Sequence, residues 1–289
     1  MRLPRPAPLC SAAAIALAAL LTGCSAAGPV SADATTAAAT GALPSAHVHG
    51  VAIDPGDGTL LLATHEGLME VGDGGEVTAA GPVVDLMGFT VTGPHHYLAS
   101  GHPGLHTDLP QPVGLIESTD GGETWTSLSR AGASDFHALT ALGEAGVLGY
   151  DGVLRRSPDG LTWEQLGIPA EPRTLAAAPD GGAVLATTAQ GLLRSTDAGT
   201  TWAAVEGAPR LQVVAWVDAG TMVGVDPAGA VWTSTDAAQT WEQTADLGAA
   251  PHAVAAAAAD GTVRIAVVTD AGLAESLDGG ATFTTLLAS

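Results

Sequence analysis

Apolar residues along the chain fall in short runs that are separated by turns rich in glycine, aspartate and proline. The first unit has such runs at His49-Gly50-Val51-Ala52-Ile53, at residues 59–64 and at residues 67–71. Runs of this length between turn residues are typical of β-strands. Later units repeat one order: a strand of small apolar residues, a second apolar strand, a strand led by glycine, and a fourth strand. The pattern predicts an all-β protein built from four-stranded units.

A short phrase occurs five times, each time at the turn between the third and fourth strands of a unit. Its first copy reads Ser118-Thr119-Asp120-Gly121-Gly122-Glu123-Thr124-Trp125, and the serines of successive copies are 39, 38, 39 and 42 residues apart. The aspartate can accept hydrogen bonds from backbone N–H groups two residues on, and the small residue beside it permits a sharp reversal. These structural aspartates are Asp120, Asp159, Asp197, Asp236 and Asp278. A fixed period of this size indicates a repeat architecture.

The phrase resembles the Asp-box, or BNR, repeat of sialidases, sortilin-type receptors and photosystem assembly factors, which are β-propellers. A degenerate copy without its tryptophan, Asp73-Gly74-Gly75-Glu76, lies upstream of the five. Residues 47–289 then divide into six units of about 40 residues, the usual size of a blade. We therefore predict a six-bladed β-propeller with Asp-box repeats, in which blades 1 and 6 meet through side chains only. The resemblance does not fix the activity, because one fold hosts many functions.

The N-terminus has the features of a secretory leader, since two arginines precede an apolar run over residues 12–21. The motif Leu21-Thr22-Gly23-Cys24 resembles the bacterial lipobox, in which cleavage exposes a cysteine that is then lipidated. We expect a lipoprotein signal peptide over residues 1–23, a lipidated Cys24, and a flexible tether of small residues over 24–46. The propeller would then be anchored at the outer side of a bacterial cell membrane.

The balance of charge limits the partners. The sequence has 9 basic residues, all of them arginine, against 30 acidic residues, and its net charge is −21. Such a surface repels the phosphates of nucleic acid. Of the two cysteines, Cys10 leaves with the leader and Cys24 becomes the anchor, so no disulfide is expected within the propeller. We expect a monomer whose partners are the membrane and an envelope protein or glycan.

The antiparallel strand order predicts which loops share a face. The start of each first strand and each loop between second and third strands lie on one face, called the upper face here, and the Asp-box turns lie on the opposite face. The start of the first strand is occupied, blade by blade, by His49, Met87, His137, Arg173, Gln212 and His252. The loops between second and third strands add His65, Glu66, His102 and Asp151 to the same face.

This clustering of histidines predicts a metal site at the mouth of the central channel. Imidazoles suit zinc or copper, and a thioether from Met87 would favour copper. We expect His49, His137 and His252, with His65 or His102, to form the site. Asp85 and Asp135 precede ring positions by two residues and could orient the ligands, while Arg173, Asp85 and Glu66 are candidates for contact with a bound molecule. The alternative is that these histidines only line a wet channel mouth.

The resemblance to sialidases raises an enzyme alternative. That family uses three arginines, a tyrosine nucleophile with a glutamate, and an aspartic acid. Here only Arg173 and Arg210 fall at upper loops, the Arg-Ile-Pro signature is absent, and Tyr150 has no evident glutamate partner. The sialidase mechanism is therefore not supported residue by residue.

A generic glycoside hydrolase needs only two carboxylates about 5 to 10 Å apart, and Asp135 and Asp151 are the catalytic candidates. Segments such as His-Val-His-Gly, Ala-Thr-His-Glu-Gly and Ser-Gly-His-Pro also resemble a group of bacterial lipoproteins loosely labelled glycosyl hydrolases. A metal-free scaffold that binds an envelope protein or a glycan is the third alternative.

Overall fold

The computed structural model describes residues 41–45, 47–259 and 261–289. The predicted signal peptide, the lipidation site Cys24 and most of the predicted tether lie outside these residues. The described residues form 25 strands and one 3-10 turn at Gly143–Ala145. Among them, no helix is long and apolar enough to cross a membrane.

The first strand, β1 (Gly41–Ala42), precedes the blades. Blade 1 contains β2 (Val48–Ile53), β3 (Leu60–Thr64), β4 (Gly67–Val71) and β5 (Val77–Ala79). Blade 2 contains β6 (Val84–Gly93), β7 (His96–Pro103), β8 (Leu115–Ser118) and β9 (Thr126–Ser129). Blade 3 contains β10 (Ala138–Ala141), β11 (Val147–Tyr150), β12 (Leu154–Ser157) and β13 (Glu164–Leu166).

Blade 4 contains β14 (Pro172–Ala177), β15 (Val184–Thr188), β16 (Gly191–Ser195) and β17 (Ala203–Ala204). Blade 5 contains β18 (Val213–Trp216), β19 (Met222–Val225), β20 (Ala230–Ser234) and β21 (Glu242–Asp246). Blade 6 contains β22 (Pro251–Ala259), β23 (Thr262–Thr269), β24 (Gly272–Ser276) and β25 (Thr284–Ala288). Every blade is antiparallel with its four strands in sequence order, which confirms the predicted six-bladed all-β propeller.

Blade 6 has a fifth strand that the sequence analysis did not predict. Gly41 and Ala42 pair in parallel with Leu287 and Ala288 on the outer edge of β25. The backbone N–H of Leu43 extends the contact by donating to the carbonyl of Ala288 at 2.7 Å. An outermost strand presents unpaired backbone groups, and β1 covers part of that edge. The segment predicted as a tether through residue 46 therefore contains a strand, which its composition of small residues did not indicate.

The ring closes through a shared core between blades 1 and 6. Val51 and Leu62 of blade 1 are buried in one apolar cluster with Ala255, Val268 and Leu287 of blade 6. Burial of this apolar surface is the main force holding the blades together.

One polar contact adds to this closure. The guanidinium of Arg264 in blade 6 donates to the carbonyl of Gly58 in blade 1 and pairs with Glu275 at 2.6 Å. Blades 1 and 6 therefore meet without a shared sheet, as predicted. The contact from Arg264 differs from side-chain packing because its acceptor, the Gly58 carbonyl, belongs to the backbone.

The repeated turns between third and fourth strands are held by their own side chains. In the copy around Asp197, the Ser195 hydroxyl donates to Asp197 Oδ1 at 2.8 Å and accepts from the Gly199 N–H at 2.9 Å. The Thr201 N–H and hydroxyl donate to the two oxygens of Asp197 at 2.8 and 2.7 Å. These donors, the Thr201 backbone first, lower the pKa of Asp197 to about 2. Asp197 therefore stabilises the turn. This turn lies at the end of the blade opposite to the start of the first strand.

Candidate metal centre

Four of the six residues predicted to ring the channel are extra residues in the first strand of their blade. The pairing register of first and second strands shifts across each of them, and they are His49, Met87, Arg173 and His252. A β-bulge leaves its extra residue outside the ladder and re-aims the side chain, which is why bulges are frequent beside functional sites. All four of these residues line one central cavity of about 320 Å³.

The other two ring positions directly precede their strands. His137 lies before β10 and lines the central cavity, whereas Gln212 lies before β18 and lines a neighbouring groove instead. Five of the six predicted positions thus face one cavity, and His47 joins them.

Three histidines come together at blade 1, and two of them, His47 and His49, line this cavity. Ligand atoms of His47, His49 and His65 all lie within 4.8 Å of one another, and no other group of three such residues does so in the described part of the chain. The Nε2 atoms of His49 and His65 are 3.2 Å apart, and their rings meet edge to face with centroids 4.4 Å apart. His49 and His65 were predicted from the sequence as members of the site, whereas His47 was not. The three residues are called the His triad below.

The pairing of β2 with β3 produces the His triad. Val48 lies opposite Thr64, so His47 and His65 flank the same end of the hairpin, and the His65 N–H donates to the His47 carbonyl at 3.4 Å. The bulge at His49 then turns a third imidazole to the same side.

The environment of His47 and His49 favours neutral imidazoles. Burial, followed by the nearby charges of His65 and His47, lowers the pKa of His49 to about 4. Burial also lowers the pKa of His47, with smaller contributions from His252, His65 and Arg173. Neutral imidazole is the form that binds a metal ion, so these rings are in the binding form at neutral pH.

Two carboxylates connect the remaining predicted histidines into a continuous array. Asp85 contacts His65 Nδ1 at 2.8 Å with one oxygen and His102 Nδ1 at 3.1 Å with the other. Asp135 Oδ2 lies 3.2 Å from His102 Nε2 and 2.9 Å from His137 Nε2. Such contacts orient an imidazole.

His252 lies at the other end of the array. Its Nε2 pairs with Asp270 at 2.7 Å, and its ring centroid is 5.0 Å from that of His47. The five predicted histidines therefore belong to one array, but only His49 and His65 belong to the His triad. His102 of blade 2 and His137 of blade 3 share Asp135, and blade 3 lies opposite blade 6 in the ring.

The other predicted site residues have separate positions. Glu66 is exposed beside His65, and its N–H donates to the Thr64 hydroxyl at 3.0 Å. Arg173 is exposed and lines both the central cavity and the neighbouring groove.

Asp151 is held in an ion-pair network. The Arg155 Nε lies 3.0 Å from both of its oxygens, the Ser134 hydroxyl donates at 2.5 Å, and Arg130 approaches to 3.8 Å. Its side chain is only 6% exposed. The structure thus gives the two proposed catalytic carboxylates, Asp135 and Asp151, different partners. The register of β11 with β12, which brings Arg155 back onto this turn, was the feature missing from the sequence analysis.

Comparison with known proteins supports the fold. No protein-family model matches the sequence, and no curated protein matches it either. Among solved structures, the chain is similar to YCF48 bound to D1 peptide, with 17% identity, coverage of 85% of this chain and 87% of that one, and a TM-score of 0.54. It is also similar to a gluconolactonase from Xanthomonas campestris, with 13% identity, coverage of 80% and 84%, and a TM-score of 0.61.

A third similar structure is the extracellular domain of the putative hybrid two component system BT4673 from B. thetaiotaomicron. It has 12% identity, covers 86% of this chain and 34% of that one, and has a TM-score of 0.57. The structural similarity supports the class of fold, a β-propeller. Because the sequence identities are this low, the function has to be argued from the site itself.

Proposed function

We propose that this propeller binds a transition-metal ion, zinc or copper, through His47, His49 and His65. The observation that carries the proposal is the convergence of three imidazoles whose ligand atoms lie within 4.8 Å of one another. Imidazole nitrogen is a preferred ligand of both metals. The lowered pKa values of His47 and His49 support the proposal, because these rings lose little affinity to protons at neutral pH.

The hydrogen bonds indicate which nitrogen of His65 would bind the ion. A carboxylate only accepts hydrogen bonds, so the contact with Asp85 places the hydrogen of His65 on Nδ1. Nε2 then offers its lone pair on the side of His49. Asp85 would act on the metal through His65, as a positioning residue.

Three protein ligands leave a coordination position for water or another molecule. His47 and His49 of the triad line the central cavity of about 320 Å³, which could admit such a ligand. Met87 lines the same cavity, and a thioether in reach of the ion would favour copper over zinc.

The proposed setting is extracytoplasmic, with Cys24 as a lipid anchor. Its support is the lipobox-like motif at the end of the apolar leader. An acidic protein also attracts cations to its surface, which would raise the local concentration of metal ions.

Calorimetric titration of the full-length protein with Zn²⁺, Cu²⁺ and Cu⁺ tests the proposal, alongside His49→Ala and His65→Ala. We expect submicromolar binding of at least one ion and its loss in both variants. The matched control is His106→Ala, which removes an exposed histidine from the β7–β8 loop. Binding no tighter than about 10 μM, or equal binding by wild type and both triad variants, would show that the histidines only line the channel.

A further inference from the structure

A second cavity opens on the same face next to the central cavity, and His137 and Arg173 line both. It is a groove of about 800 Å³ at blades 4 and 5, and it is lined by Glu171, Arg173, Gln190, Arg210 and Gln212. These residues come from the segments before β14 and β18, the start of β14, and the turn after β15. The volume falls in the range of sites that bind small molecules, roughly 300 to 1,000 Å³.

The arginines of this groove differ from most others in the described structure. Arg130 and Arg155 pair with Asp151, Arg156 pairs with Glu164, and Arg264 pairs with Glu275. Neither Arg173 nor Arg210 forms an ion pair within the described residues.

Arg194 also lacks an ion pair there, but it is committed to another contact. It donates to the Ala237 carbonyl at 2.9 Å beside the repeated turns of the opposite face. Two arginines without carboxylate partners are thus gathered in one groove of a protein whose net charge is −21.

The groove also holds one of these arginines in place. Arg210 Nη2 donates to the Ala189 carbonyl at 3.0 Å, which leaves its other N–H groups to a ligand. Arg173 stands at the bulge that begins blade 4 and lines both the groove and the central cavity. Guanidinium groups match the planar geometry of carboxylate and the oxygens of phosphate.

We propose that this groove binds a small anion bearing carboxylate or phosphate groups, with Arg173 and Arg210 as the oxyanion-binding residues. The inference goes beyond metal binding and does not depend on it, because neither arginine belongs to the His triad. Glu171 lines the same groove, and its negative charge repels a bound anion. Removing that charge should therefore increase the affinity for the anion.

The test is calorimetric titration of the full-length protein, stripped of metal on a chelating resin, first with citrate and then with inorganic phosphate. We expect saturable binding of at least one anion and a loss of at least tenfold in affinity in both Arg173→Gln and Arg210→Gln. Glu171→Gln should bind the same anion more tightly, and His106→Gln should match the wild type. Stronger binding of citrate would identify a carboxylate ligand, and stronger binding of phosphate would identify a phosphate ester.

Failure of both anions to bind, or affinity unchanged in both arginine variants, would overturn the proposal. Metal titration of the same arginine variants separates the two sites. If the wild type binds no metal but binds an anion that the arginine variants do not bind, the anion site is supported and the proposed metal site is not.

Discussion

Asp85 Oδ1 lies 2.8 Å from Nδ1 of His65, at the junction of blades 1 and 2. The contact joins the first strand of blade 2 to the turn between β3 and β4 of blade 1. Through its other oxygen, Asp85 also contacts His102, which lies directly opposite on β7. One carboxylate therefore sets the orientation of two imidazoles from different blades.

Replacing Asp85 by asparagine should weaken metal binding about tenfold without removing it. The amide can still accept from His65 Nδ1, but it lacks the charge that raises the basicity of the ligand. The measurement is calorimetric titration together with thermal unfolding of the metal-free protein. The matched control is Asp270→Asn, which removes the charge beside His252. A lower unfolding temperature with unchanged metal affinity would show that Asp85 is only structural.

The fold was predictable because its determinants are local. Each copy of the turn around residues such as Asp197 contains its own donors and acceptors within a few residues, so its period is visible in the sequence. Antiparallel order then assigned His49 and His65 to one face.

The remaining features depend on register and edges, which the sequence does not display. The bulge at His49 follows from the offset between β2 and β3, and the ion pair of Asp151 follows from the pairing of β11 with β12. Pairing of Gly41 with Leu287 joins segments from opposite ends of the chain. A contact between segments so far apart in sequence cannot be predicted from a local sequence pattern.

The metal-free protein should lose stability as the pH falls from about 6.5 to about 4. Folding lowers the pKa of His49 from 6.5 to about 4, so within this window the unfolded chain binds a proton that the folded protein does not. The loss should be on the order of 1 to 2 kcal/mol for His49, because solvent screens part of the effect. Thermal unfolding across this pH range measures it.

Carboxylates also titrate near the lower end of that window, so the test is the difference between variants. His49→Gln should flatten the decline, and His106→Gln, which changes an exposed histidine, should leave it as in the wild type. Parallel curves for wild type and His49→Gln would contradict the assignment.

Ser195→Ala should destabilise the propeller by about 1 to 3 kcal/mol while leaving metal binding unchanged. The Ser195 hydroxyl is buried and accepts from the Gly199 N–H, which would lose its partner in a buried site. Chemical denaturation measures the change. Thr200→Ala in the same turn is the control, since its hydroxyl, which donates to the Asp197 carbonyl and accepts from Arg156 Nη1, is exposed to solvent. Equal effects of the two substitutions would argue against the role assigned to Ser195.

Cys24→Ala should release the protein from the membrane fraction or leave it unprocessed. The lipid on this cysteine is the anchor proposed from the lipobox-like motif. Fractionation of cells, followed by detection of the protein and its size, measures the outcome. Cys10→Ala lies within the predicted leader and should leave anchoring intact. A processed Cys24→Ala variant that stays in the membrane would refute the proposed anchor.

Arg264→Gln should weaken the closure of the ring between blades 1 and 6. Its guanidinium contacts Glu275 of its own blade and the Gly58 carbonyl of the first blade. Both charged side chains are largely buried, with 20% of Arg264 and 12% of Glu275 exposed. Truncation leaves a buried carboxylate without its partner, so we expect a loss of about 3 kcal/mol in the free energy of unfolding.

Substitution of the acidic partner separates the ion pair from the contact with blade 1. Glu275→Gln removes the charge and leaves the bond from Arg264 to Gly58 in place, so it should cost less than Arg264→Gln. Glu164→Gln is the matched control, because the carboxylate that pairs with Arg156 is 53% exposed and should contribute about 1 kcal/mol or less. Equal losses of unfolding free energy for Arg264→Gln and Glu164→Gln would contradict this role of Arg264. The polar contact between blades 1 and 6 would then contribute no more than an exposed ion pair, and the apolar core alone would close the ring.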